Sequence, residues 1–327
     1  MRKVLITGAG GYVGARLVPR LLQNGYEVVA ADTFWYGKSS LENEKNSRLR
    51  LVELDIRNEF DLRREMIGIS DLVHLACISN DPSFDLNPQL GKSINLDAFE
   101  PLVKIAKNSG VERFIYASSS SVYGVKQEEN VTENLGLEPL TDYSKYKAIC
   151  EEILFKHASQ DFICTVLRPA TVCGWSPRQR FDLSVNILTN HAINKKKITV
   201  YGGSQFRPNI HIEDMVNAYI LTLSAPEKKV NYQIFNVGAE NLSMSAIAEV
   251  VSINTGVTEV NFESTNDLRS YRIDSSKIRN ELGFVFQKNV GNAVSDLVNA
   301  FHANLFVDSL HNPLYFNIKR MKELDVL

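Results

Sequence analysis

A glycine-rich segment near the start of the chain, ITGAGGYVGARL, constrains the possible folds more than any other feature of the sequence. It follows a β-branched apolar run and opens a helical pattern, so Gly8, Gly11 and Gly14 lie at a strand-to-helix junction. There the first glycine permits a tight turn, the second lets backbone amides approach a pyrophosphate, and the third lets the helix pack on the strand. The segment therefore predicts the first βαβ unit of a dinucleotide-binding sheet.

Short apolar runs and helical patterns alternate through the first half of the chain. Several of the apolar runs are hydrophobic at nearly every position, which is typical of parallel strands buried on both faces. The segments between them carry apolar residues at helical spacing and end in Asn-Gly or Ser-Gly, as helix C-termini do. This pattern predicts an α/β fold with a doubly wound parallel sheet of the Rossmann type. The predicted strands are 4–8, 27–32, 49–55, 71–76, 113–119 and 163–169.

The regular alternation fades after Pro169, where a more polar and loop-rich stretch begins. A later apolar run, Gln233–Gly238, has the character of a strand that returns to the sheet. We therefore expect two interleaved domains. A dinucleotide-binding domain comprises residues 1–171 with a returning segment at about 205–238, and a smaller C-terminal substrate-binding domain comprises residues 172–204 and 239–327.

The overall charge and hydropathy restrict the partners. The 36 basic and 38 acidic side chains nearly balance, which leaves no electrostatic footprint for nucleic acid and favours a small-molecule partner. The N-terminus passes directly into a strand pattern without a secretory signal, and no apolar run is long enough to span a membrane. We expect a soluble, cytoplasmic protein. The four cysteines lack metal-ligand spacing and are expected to be buried thiols, so no metal site is predicted.

A carboxylate at the end of the second predicted strand bears on the choice of cofactor. Asp32 lies 18 residues beyond Gly14, about where an acid that hydrogen-bonds the adenosine ribose 2′-hydroxyl is expected. A carboxylate there repels a 2′-phosphate, so NAD is predicted rather than NADP. Asp55 ends the third strand and can accept from the adenine amino group, although a turn residue is the alternative. The remaining expected cofactor contacts flank these positions: Tyr12, Val13, Ile56, Leu75 and Ala76.

The segment EPLTDYSKYKAIC sets Tyr143 four residues before Lys147. On a helix these two side chains share one face, so the phenol hydroxyl and the ammonium can converge. A free tyrosine has a pKa of about 10 and is a poor base at neutral pH, but a neighbouring ammonium and a positive nicotinamide ring favour the phenolate. We therefore predict a catalytic pair that also contacts the cofactor. Tyr146 and Lys145 form a second pair out of phase, and a solvated helix face is the alternative for both pairs.

Several segments together resemble one enzyme family. TGAGGYVG, the strand-end Asp32, ASSSSVYG and YSKYK resemble the extended short-chain dehydrogenase/reductases, specifically the nucleotide-sugar epimerase/dehydratase family. LRPATVCG, FRPNIHIED and RSYRIDSSKIRNELGF extend the resemblance over nearly the whole chain. The resemblance implies that Lys147 also holds the nicotinamide ribose and that Ser119 hydrogen-bonds the reacting oxygen. It also implies a homodimer built from the helix after Asn95 and the helix that carries Tyr143.

Departures from the family pattern narrow the predicted reaction. The 4,6-dehydratases of the family carry Asp-Glu directly after the catalytic threonine, because elimination of water needs a further acid and base. This chain has Ser120 and Ser121 at those positions and also lacks the glutamate associated with uronate decarboxylases. Thr171 is expected to face the substrate where many relatives have an asparagine. Dehydration is therefore not expected.

Arginines supply most of the expected substrate contacts. The resemblance places Arg207 and Arg269 where the family clamps the substrate diphosphate, with Arg272 as a further candidate, and guanidinium forks suit phosphate oxygens. These side chains are expected to face the substrate, with a surface salt bridge as the alternative for each. The basic segment SPRQRFDLSVN supplies further candidates for the sugar or nucleotide pocket, with a solvated loop as the alternative: Arg178, Arg180 and Asn186.

These features together predict NAD-dependent oxidation at C4 of a nucleotide-diphosphate sugar, with Tyr143 as the base. The resulting 4-keto sugar is either reduced on its other face by a 4-epimerase, which we favour, or released by a 4-dehydrogenase. A 4-ketoreductase runs in the opposite direction. A cofactor-sensing or scaffolding protein is the non-enzymatic alternative, but such a protein is expected to lack the tyrosine or the lysine, and this chain has both.

Overall fold

The structure is a computed structural model that describes residues 1–265 and 270–324. The strands, in chain order, are β1 (Lys3–Thr7), β2 (Glu27–Asp32), β3 (Leu49–Glu53), β4 (Asp71–His74), β5 (Arg113–Ala117), β6 (Ile163–Pro169), β7 (Thr171–Cys173), β8 (Ile198–Tyr201), β9 (Phe206–His211), β10 (Gln233–Val237), β11 (Glu240–Ser243) and β12 (Val260–Glu263). Seven of them form a parallel sheet in the order β3-β2-β1-β4-β5-β6-β10. The predicted doubly wound fold is confirmed, and β10 is the returning strand.

Helices cover both faces of the sheet. They are α1 (Gly14–Gln23), α2 (Ser39–Glu42), α3 (Glu59–Glu65), α4 (Asp81–Phe84), α5 (Pro88–Lys92), α6 (Phe99–Asn108), α7 (Asp142–His157), α8 (Ser184–Lys195), α9 (Ile212–Ser224), α10 (Glu227–Val230), α11 (Met244–Thr255), α12 (Ser276–Leu282), α13 (Val290–His302) and α14 (Asn317–Glu323). A π-helical turn spans Ser93–Asp97, and 3₁₀ turns span Ser120–Tyr123 and Pro313–Tyr315.

Two hydrophobic clusters hold these layers together. On one face, α1 and α9 pack together through residues such as Leu17 and Met215, and on the other face α3, α6 and α7 bury Leu62, Leu102 and Leu154. Each fully buried aliphatic side chain stabilises the fold by roughly 1.5–3 kcal/mol relative to an exposed one. All four residues of β4 are buried, as its central position between two helical layers requires.

A third cluster lies in the later part of the chain. It joins α8, α11 and α13 with the parallel pair β8–β12, through residues such as Leu188, Ile247 and Val294. The three-stranded sheet β11-β9-β7 connects this unit with the end of β6, since β7 follows β6 after a single residue. A separate core of this kind is what the predicted substrate-binding domain needs, although the domain boundaries themselves stay a prediction.

The segment after Phe301 turns back toward the central sheet. Phe181 stacks on Phe301 with ring centroids 5.7 Å apart, and Phe306 and Tyr315 pack edge-on against the same Phe181 ring. Beyond this aromatic group, α14 buries Met321 in a small cluster that includes Tyr143. The C-terminal segment is therefore part of the fold around the carboxyl ends of the strands.

The helices expected to form a dimer interface use much of their apolar surface within the subunit. Leu102 and Ile105 of α6 are buried against the sheet, whereas Ile149 of α7 is 41% exposed. The homodimer therefore stays a prediction. Across residues 1–265 and 270–324, no helix has the length and apolar character that a bilayer-spanning segment requires.

Candidate active site

A cleft of about 550 Å³ opens at the carboxyl ends of β1 to β6. It lies where the strand order reverses between β1 and β4, which is the usual ligand position in an open parallel sheet. The loops that follow six strands line it, together with parts of β7, β9 and α14. All of the expected cofactor contacts lie in its wall: Gly8, Gly11, Tyr12, Val13, Gly14, Asp32, Asp55, Ile56, Leu75, Ala76, Tyr143 and Lys147.

The glycine-rich turn leaves no room for side chains. Gly8 has a φ of +80°, and a Cβ at this position would come within 2.6 Å of the Ala76 amide nitrogen. A Cβ at Gly14 would collide with the carbonyl oxygen of Ala9. The turn therefore brings bare backbone and the N-terminal end of α1 to the floor of the cleft, which suits an anionic phosphate group.

Asp32 is fixed at the end of β2 by backbone amides. Its two carboxylate oxygens accept from the Gly10 amide at 2.9 Å and the Phe34 amide at 2.7 Å. Burial raises the pKa of Asp32, and these two hydrogen bonds oppose that effect. A carboxylate oxygen can accept a second hydrogen bond, so the geometry leaves capacity for a ribose hydroxyl.

Asp55 is a turn residue that also lines the cleft, and its contact with adenine stays a prediction. It lines the cleft, and its carboxylate also accepts from the Arg57 amide at 2.9 Å and from the Arg57 guanidinium. Although burial acts in the opposite direction, the hydrogen bonds from Arg57 hold the pKa of Asp55 below its usual value. Asp55 is thus a turn residue whose remaining acceptor capacity faces the cleft.

Tyr143 and Lys147 project from the start of α7 into the cleft. The helix begins with a reciprocal capping box, in which the Thr141 hydroxyl accepts from the Ser144 amide at 3.3 Å and the Ser144 hydroxyl accepts from the Thr141 amide at 3.1 Å. This box satisfies two of the free amides of the first turn and fixes the rotation of the helix. The position of Tyr143 is therefore determined locally.

The Lys147 ammonium is buried beside two aromatic rings. Its Nζ donates to the Ala117 carbonyl at 2.6 Å and lies 4.9 Å from the Tyr116 ring centroid and 5.9 Å from the Tyr143 ring centroid. The Ser119 hydroxyl lies close enough to the Tyr143 phenol to lower its pKa. The three predicted catalytic residues therefore meet at one point of the cleft.

The second tyrosine–lysine pair of α7 faces away from this point. Tyr146 packs edge-on against Phe84 with ring centroids 5.6 Å apart, and the exposed Lys145 pairs with Asp142 at 3.1 Å. Neither Tyr146 nor Lys145 belongs to the cleft wall. The helix rotation thus separates the two pairs, which the sequence alone left ambiguous.

Burial has the largest effect on the protonation of Tyr143. Burial raises the pKa of this phenol well above its usual value, with Cys77 contributing in the same direction, while Ser119 and Arg180 oppose it. The Lys147 ammonium lies against the Tyr143 ring and donates to a backbone carbonyl, and burial is the largest effect on the phenol. The expectation that Lys147 and a bound nicotinamide ring together favour the phenolate stays a prediction.

A buried ion pair, which sequence reasoning missed, supports the serine run, residues 118–121. Arg168 donates to Glu151 at 2.6 and 3.0 Å, and Ser118 donates to the same carboxylate. Arg168 also donates to the Tyr123 hydroxyl at 2.8 Å. Because Ser118 precedes Ser119, the pair fixes the backbone that carries the expected catalytic serine. The available signal was the position of Glu151, one helical turn beyond Lys147.

Asn95 holds the segment that follows β4. Its side-chain oxygen accepts from the Ile78 amide at 2.9 Å, and its amide nitrogen donates to the Ile78 carbonyl at 3.0 Å. Asn95 lies in the π-helical turn Ser93–Asp97, and such turns are frequent at functional sites. The amide and the carbonyl of Ile78 are thereby both fixed, at a point where the chain lines the cleft.

Arg178 and Arg180 are not in a solvated loop, so that alternative is wrong. Their exposed fractions are 6% and 7%, and both line the cleft. Arg180 pairs with Asp182 at 2.8 Å and donates to Ser79 at 3.1 Å. The guanidinium of Arg178 stacks on the Tyr36 ring at 3.7 Å and, in the described part of the chain, forms no ion pair.

Asn186 and Arg272, expected as substrate contacts, lie outside the cleft wall. Asn186 is fully buried, accepts from the Gly174 amide at 3.0 Å and donates to the Tyr12 hydroxyl at 3.1 Å, so it joins the glycine-rich turn to the segment after β7. Arg272 stacks on the Phe206 ring at 3.8 Å. Of the remaining expected substrate residues, Thr171 and Arg207 line the cleft, and Arg269 lies outside the described residues.

Comparison with known proteins places this cleft in an enzyme family. The sequence profile of the NAD dependent epimerase/dehydratase family matches residues 4–238. The chain belongs to this family. It is 27% identical over 306 residues to a UDP-glucose 4-epimerase from Lactobacillus helveticus, a match that covers 86% of this chain and 91% of that protein.

Solved structures of the NAD-dependent epimerase/dehydratase type resemble the fold closely. UDP-glucuronic acid 4-epimerase from Bacillus cereus, in complex with UDP-glucuronic acid and NAD, superimposes with a TM-score of 0.83 at 26% identity and covers 92% of this chain and 99% of its own. MoeE5 in complex with UDP-glucose and NAD superimposes with a TM-score of 0.81 at 27% identity and covers 93% and 100%.

Membership of this family confirms the predictions of an enzyme, of NAD dependence and of the nucleotide-sugar epimerase/dehydratase resemblance. The residues of the cleft fit the cofactor. The glycine-rich turn offers bare backbone at the end of α1, and Asp32 offers a fixed acceptor one strand away. These features are separated along the cleft as the phosphate and ribose of a dinucleotide require.

Some residues of the cleft wall were not expected from the sequence. Tyr36 lies four residues beyond Asp32, in a loop at the carboxyl end of a strand, and this position was the available signal. Asp182 lies two residues from Arg180 and offered a charge-pairing signal. Asn317 offered none, since it reaches the cleft from the far end of the chain.

Proposed function

We propose that the protein is a nucleotide-sugar 4-epimerase, which oxidises C4 of a nucleoside-diphosphate sugar and then reduces it on the other face. The observation that carries this proposal is the meeting of Tyr143, Ser119 and Lys147 at one end of a cleft that also contains the glycine-rich turn. Two serines stand where the extra acid and base of a dehydratase are expected. The similarity to two 4-epimerases supports the same reaction.

In this proposal, Tyr143 moves the proton and Ser119 holds the reacting oxygen. The phenolate form of Tyr143 takes the proton of the C4 hydroxyl, and the resulting phenol returns it to the same oxygen after the sugar has turned. Ser119 hydrogen-bonds that oxygen, because its hydroxyl already contacts the Tyr143 phenol. NAD, when bound, supplies the hydride acceptor for C4 and a positive ring that favours the phenolate.

Lys147 has a positioning and electrostatic role. Its Nζ donates to the Ala117 carbonyl at 2.6 Å, and an ammonium can donate three hydrogen bonds. The remaining donors can hold the hydroxyls of the nicotinamide ribose. Because Lys147 is buried, its positive charge also favours the anionic form of the neighbouring phenol once that phenol loses its proton.

The serine run argues against elimination of water. Ser120 is buried and its hydroxyl lies 3.2 Å from the Tyr271 hydroxyl, while the Ser121 hydroxyl lies 2.9 Å from that of Ser119. Aliphatic hydroxyls cannot act as the acid and base that remove water from C5 and C6 at neutral pH. The 4-keto sugar therefore has no dehydration route at these positions and can only be reduced or released.

The substrate diphosphate is assigned to the end of the cleft formed by β9. Arg207 lines the cleft there, near Tyr201 and Gln205. A guanidinium suits diphosphate oxygens, and this end lies apart from the glycine-rich turn that suits the cofactor. Thr171 of β7, which pairs with β9, also lines the cleft and is assigned to the sugar.

Product analysis tests the proposed function. The purified protein is incubated with UDP-glucose, UDP-glucuronic acid and other nucleotide sugars, and the products are separated and identified by NMR. We expect at least one sugar to be converted to its C4 epimer and the Tyr143→Phe variant to produce none. A released 4-keto sugar with NADH in equal amount would establish a dehydrogenase instead, and a loss of water would contradict the reading of Ser120 and Ser121.

A further inference from the structure

Arg178 is a buried cation that no described carboxylate neutralises. Its side chain is only 6% exposed, its Nη2 donates to the Asn317 side-chain oxygen at 2.6 Å, and its Nε has no hydrogen-bond partner. Within residues 1–265 and 270–324 it forms no ion pair, whereas the neighbouring Arg180 is paired with Asp182. A buried guanidinium without a counter-charge is costly unless a ligand supplies the negative charge.

The electrostatics of Arg178 reflect this lack of a partner. Burial, as the largest effect, lowers its pKa to about 10, and the positive charge of Arg180 acts in the same direction. Interactions with Tyr36, Asp182 and Asp32 oppose the shift. An anion in contact with the guanidinium would remove this destabilisation of the charged form.

The position of Arg178 in the cleft identifies the kind of anion. Arg178 stacks on Tyr36, in the loop beyond Asp32 at the ribose end, and the neighbouring Arg180 donates to Ser79, in the loop after β4. Arg178 therefore lies between the adenosine end and the catalytic end of the cofactor cleft. The group at the middle of a dinucleotide is its diphosphate.

The segment that carries Arg178 also lies against the glycine-rich turn. Ser176 is fully buried, and its hydroxyl donates to the Tyr12 carbonyl at 2.8 Å. Arg178 follows two residues later and stacks on Tyr36, in the loop beyond Asp32. The segment that carries the guanidinium thus contacts both the glycine-rich turn and the loop after β2.

The C-terminal helix holds this arginine in place. Besides accepting from Arg178, Asn317 donates through its side chain to Ser79 at 3.0 Å and through its backbone to Asp182 at 3.2 Å. Arg320, one turn later, donates to the Trp35 carbonyl at 2.6 Å. Helix α14 therefore joins three walls of the cleft around the guanidinium.

We propose that Arg178 binds the diphosphate of the NAD cofactor, and that Asn317 of α14 positions its guanidinium for this contact. This assignment replaces the expected role of Arg178 as a substrate residue. It rests on the NAD dependence of the family and does not depend on whether the enzyme is an epimerase. It also gives the C-terminal segment a role in the cofactor site.

The test measures binding of ligands that share or lack a diphosphate. Wild-type and Arg178→Gln proteins, freed of any co-purified cofactor, are titrated calorimetrically with NAD⁺, ADP, adenosine and UDP. We expect the substitution to lower the affinities for NAD⁺ and ADP by about 10- to 100-fold, as loss of a charge-assisted hydrogen bond predicts. The affinities for adenosine and UDP should change by less than about threefold, because adenosine has no phosphate and UDP is assigned to the Arg207 end.

Each other outcome overturns the proposal. Weaker binding of UDP with unchanged binding of ADP would indicate that Arg178 contacts the substrate instead. Equal weakening of adenosine and ADP would indicate a general distortion of the cleft, and unchanged affinity for all four ligands would show that the guanidinium contacts none of them. Because these titrations involve no turnover, failure of the epimerase assay leaves their interpretation unaffected.

Two further variants keep the test decisive if Arg178→Gln does not fold. Asn317→Ala retains the Arg178 guanidinium but removes the side chain that positions it. The affinity for ADP should therefore fall by about three- to tenfold, while the affinity for adenosine should not change. Arg113→Gln is the matched control, since Arg113 is also a mostly buried arginine with an unpartnered Nε but lies outside the cleft wall. Arg113→Gln should leave all four affinities unchanged, and an Asn317→Ala protein with wild-type ADP affinity would contradict the positioning role.

Discussion

Arg168 and Glu151 form a doubly hydrogen-bonded ion pair, with distances of 2.6 and 3.0 Å, directly behind the serine run of the cleft. Only 3% and 4% of their side chains are exposed. A buried pair of this kind is a weak source of net stability, but removal of one partner leaves an uncompensated charge. The pair therefore makes the backbone before Ser119 sensitive to a single substitution.

Replacement of Glu151 by Gln should destabilise the protein by about 3–5 kcal/mol, because Arg168 then remains buried without its counter-charge. Urea unfolding followed by circular dichroism measures the change. The matched control is Glu100→Gln, which breaks the surface pair of Glu100 with Lys104 on α6 and should cost less than about 1 kcal/mol. Equal effects of the two substitutions would show that the buried pair has no special role.

Tyr143→Phe should lower turnover by about 10² to 10⁴ while NAD⁺ binding stays nearly intact, since only the proton-transferring hydroxyl is lost. Lys147→Ala should impair both turnover and NAD⁺ binding. Tyr146→Phe is the control, because Tyr146 packs on Phe84 outside the cleft wall. Steady-state rates and calorimetry provide the two readouts, and the assignment of the helix face is wrong if Tyr146→Phe is the variant that loses activity.

Asp32 should make the protein prefer NAD⁺ over NADP⁺ by at least about tenfold, because the fixed carboxylate accepts from the ribose 2′-hydroxyl and repels a 2′-phosphate. Asp32→Asn keeps an acceptor for one of the two backbone amides and removes the charge, so it should narrow the ratio of NAD⁺ to NADP⁺ affinity. Asp55→Asn, which also lines the cleft, should leave the ratio unchanged. Calorimetric titration with both cofactors decides, and equal wild-type affinities would refute the role of Asp32.

His74 should make the protein less stable at low pH. Burial, assisted by the charge of Lys147, lowers the pKa of His74 to about 3, and its Nδ1 lies 2.7 Å from the Thr7 hydroxyl. Below a pH of about 6.5 the unfolded chain protonates this histidine and the folded protein does not, so the unfolded state binds more protons. Stability should therefore fall by up to about 1.4 kcal/mol per pH unit between about 6.5 and 3, with no contribution above 6.5.

The matched pair of variants for this prediction is His74→Asn and His302→Asn. The first removes the buried titrating group and retains a partner for Thr7, so the free energy of unfolding should depend less steeply on pH. His302 is exposed at the end of α13, and its replacement should not change the slope. An unchanged slope in His74→Asn would mean that other groups determine the acid sensitivity.

The parts of the account that the sequence predicted are those determined by local geometry. Each strand of the central sheet corresponds to a short apolar run in the sequence. The spacing of the glycines indicates a tight turn, in which a Cβ at Gly14 would collide with its near neighbour Ala9. Tyr143 and Lys147 are one helical turn apart, so their shared face follows from helix geometry. The capping box at Thr141, which fixes the rotation of α7, is also local.

The parts that the sequence did not predict depend on distant contacts. Arg178 and Asn317 are 139 residues apart, and no spacing rule relates them. Asn186 looked like a substrate residue, but its amide meets Tyr12, which lies 174 residues earlier in the chain. The pKa of Tyr143 is raised chiefly by burial, which depends on the whole fold and which the spacing of Tyr143 and Lys147 does not reveal.

The fate of the C4 hydrogen tests the central claim most directly. A substrate sugar identified by product analysis is prepared with deuterium at C4 and incubated with the enzyme, and NADH absorbance and the isotope content of both epimers are followed. Epimerisation within one closed cleft predicts that the product keeps the deuterium at C4 and that no NADH accumulates. Loss of the deuterium from C4, with NADH formed in equal amount or a strict requirement for an added oxidant, would contradict the epimerase and establish a dehydrogenase.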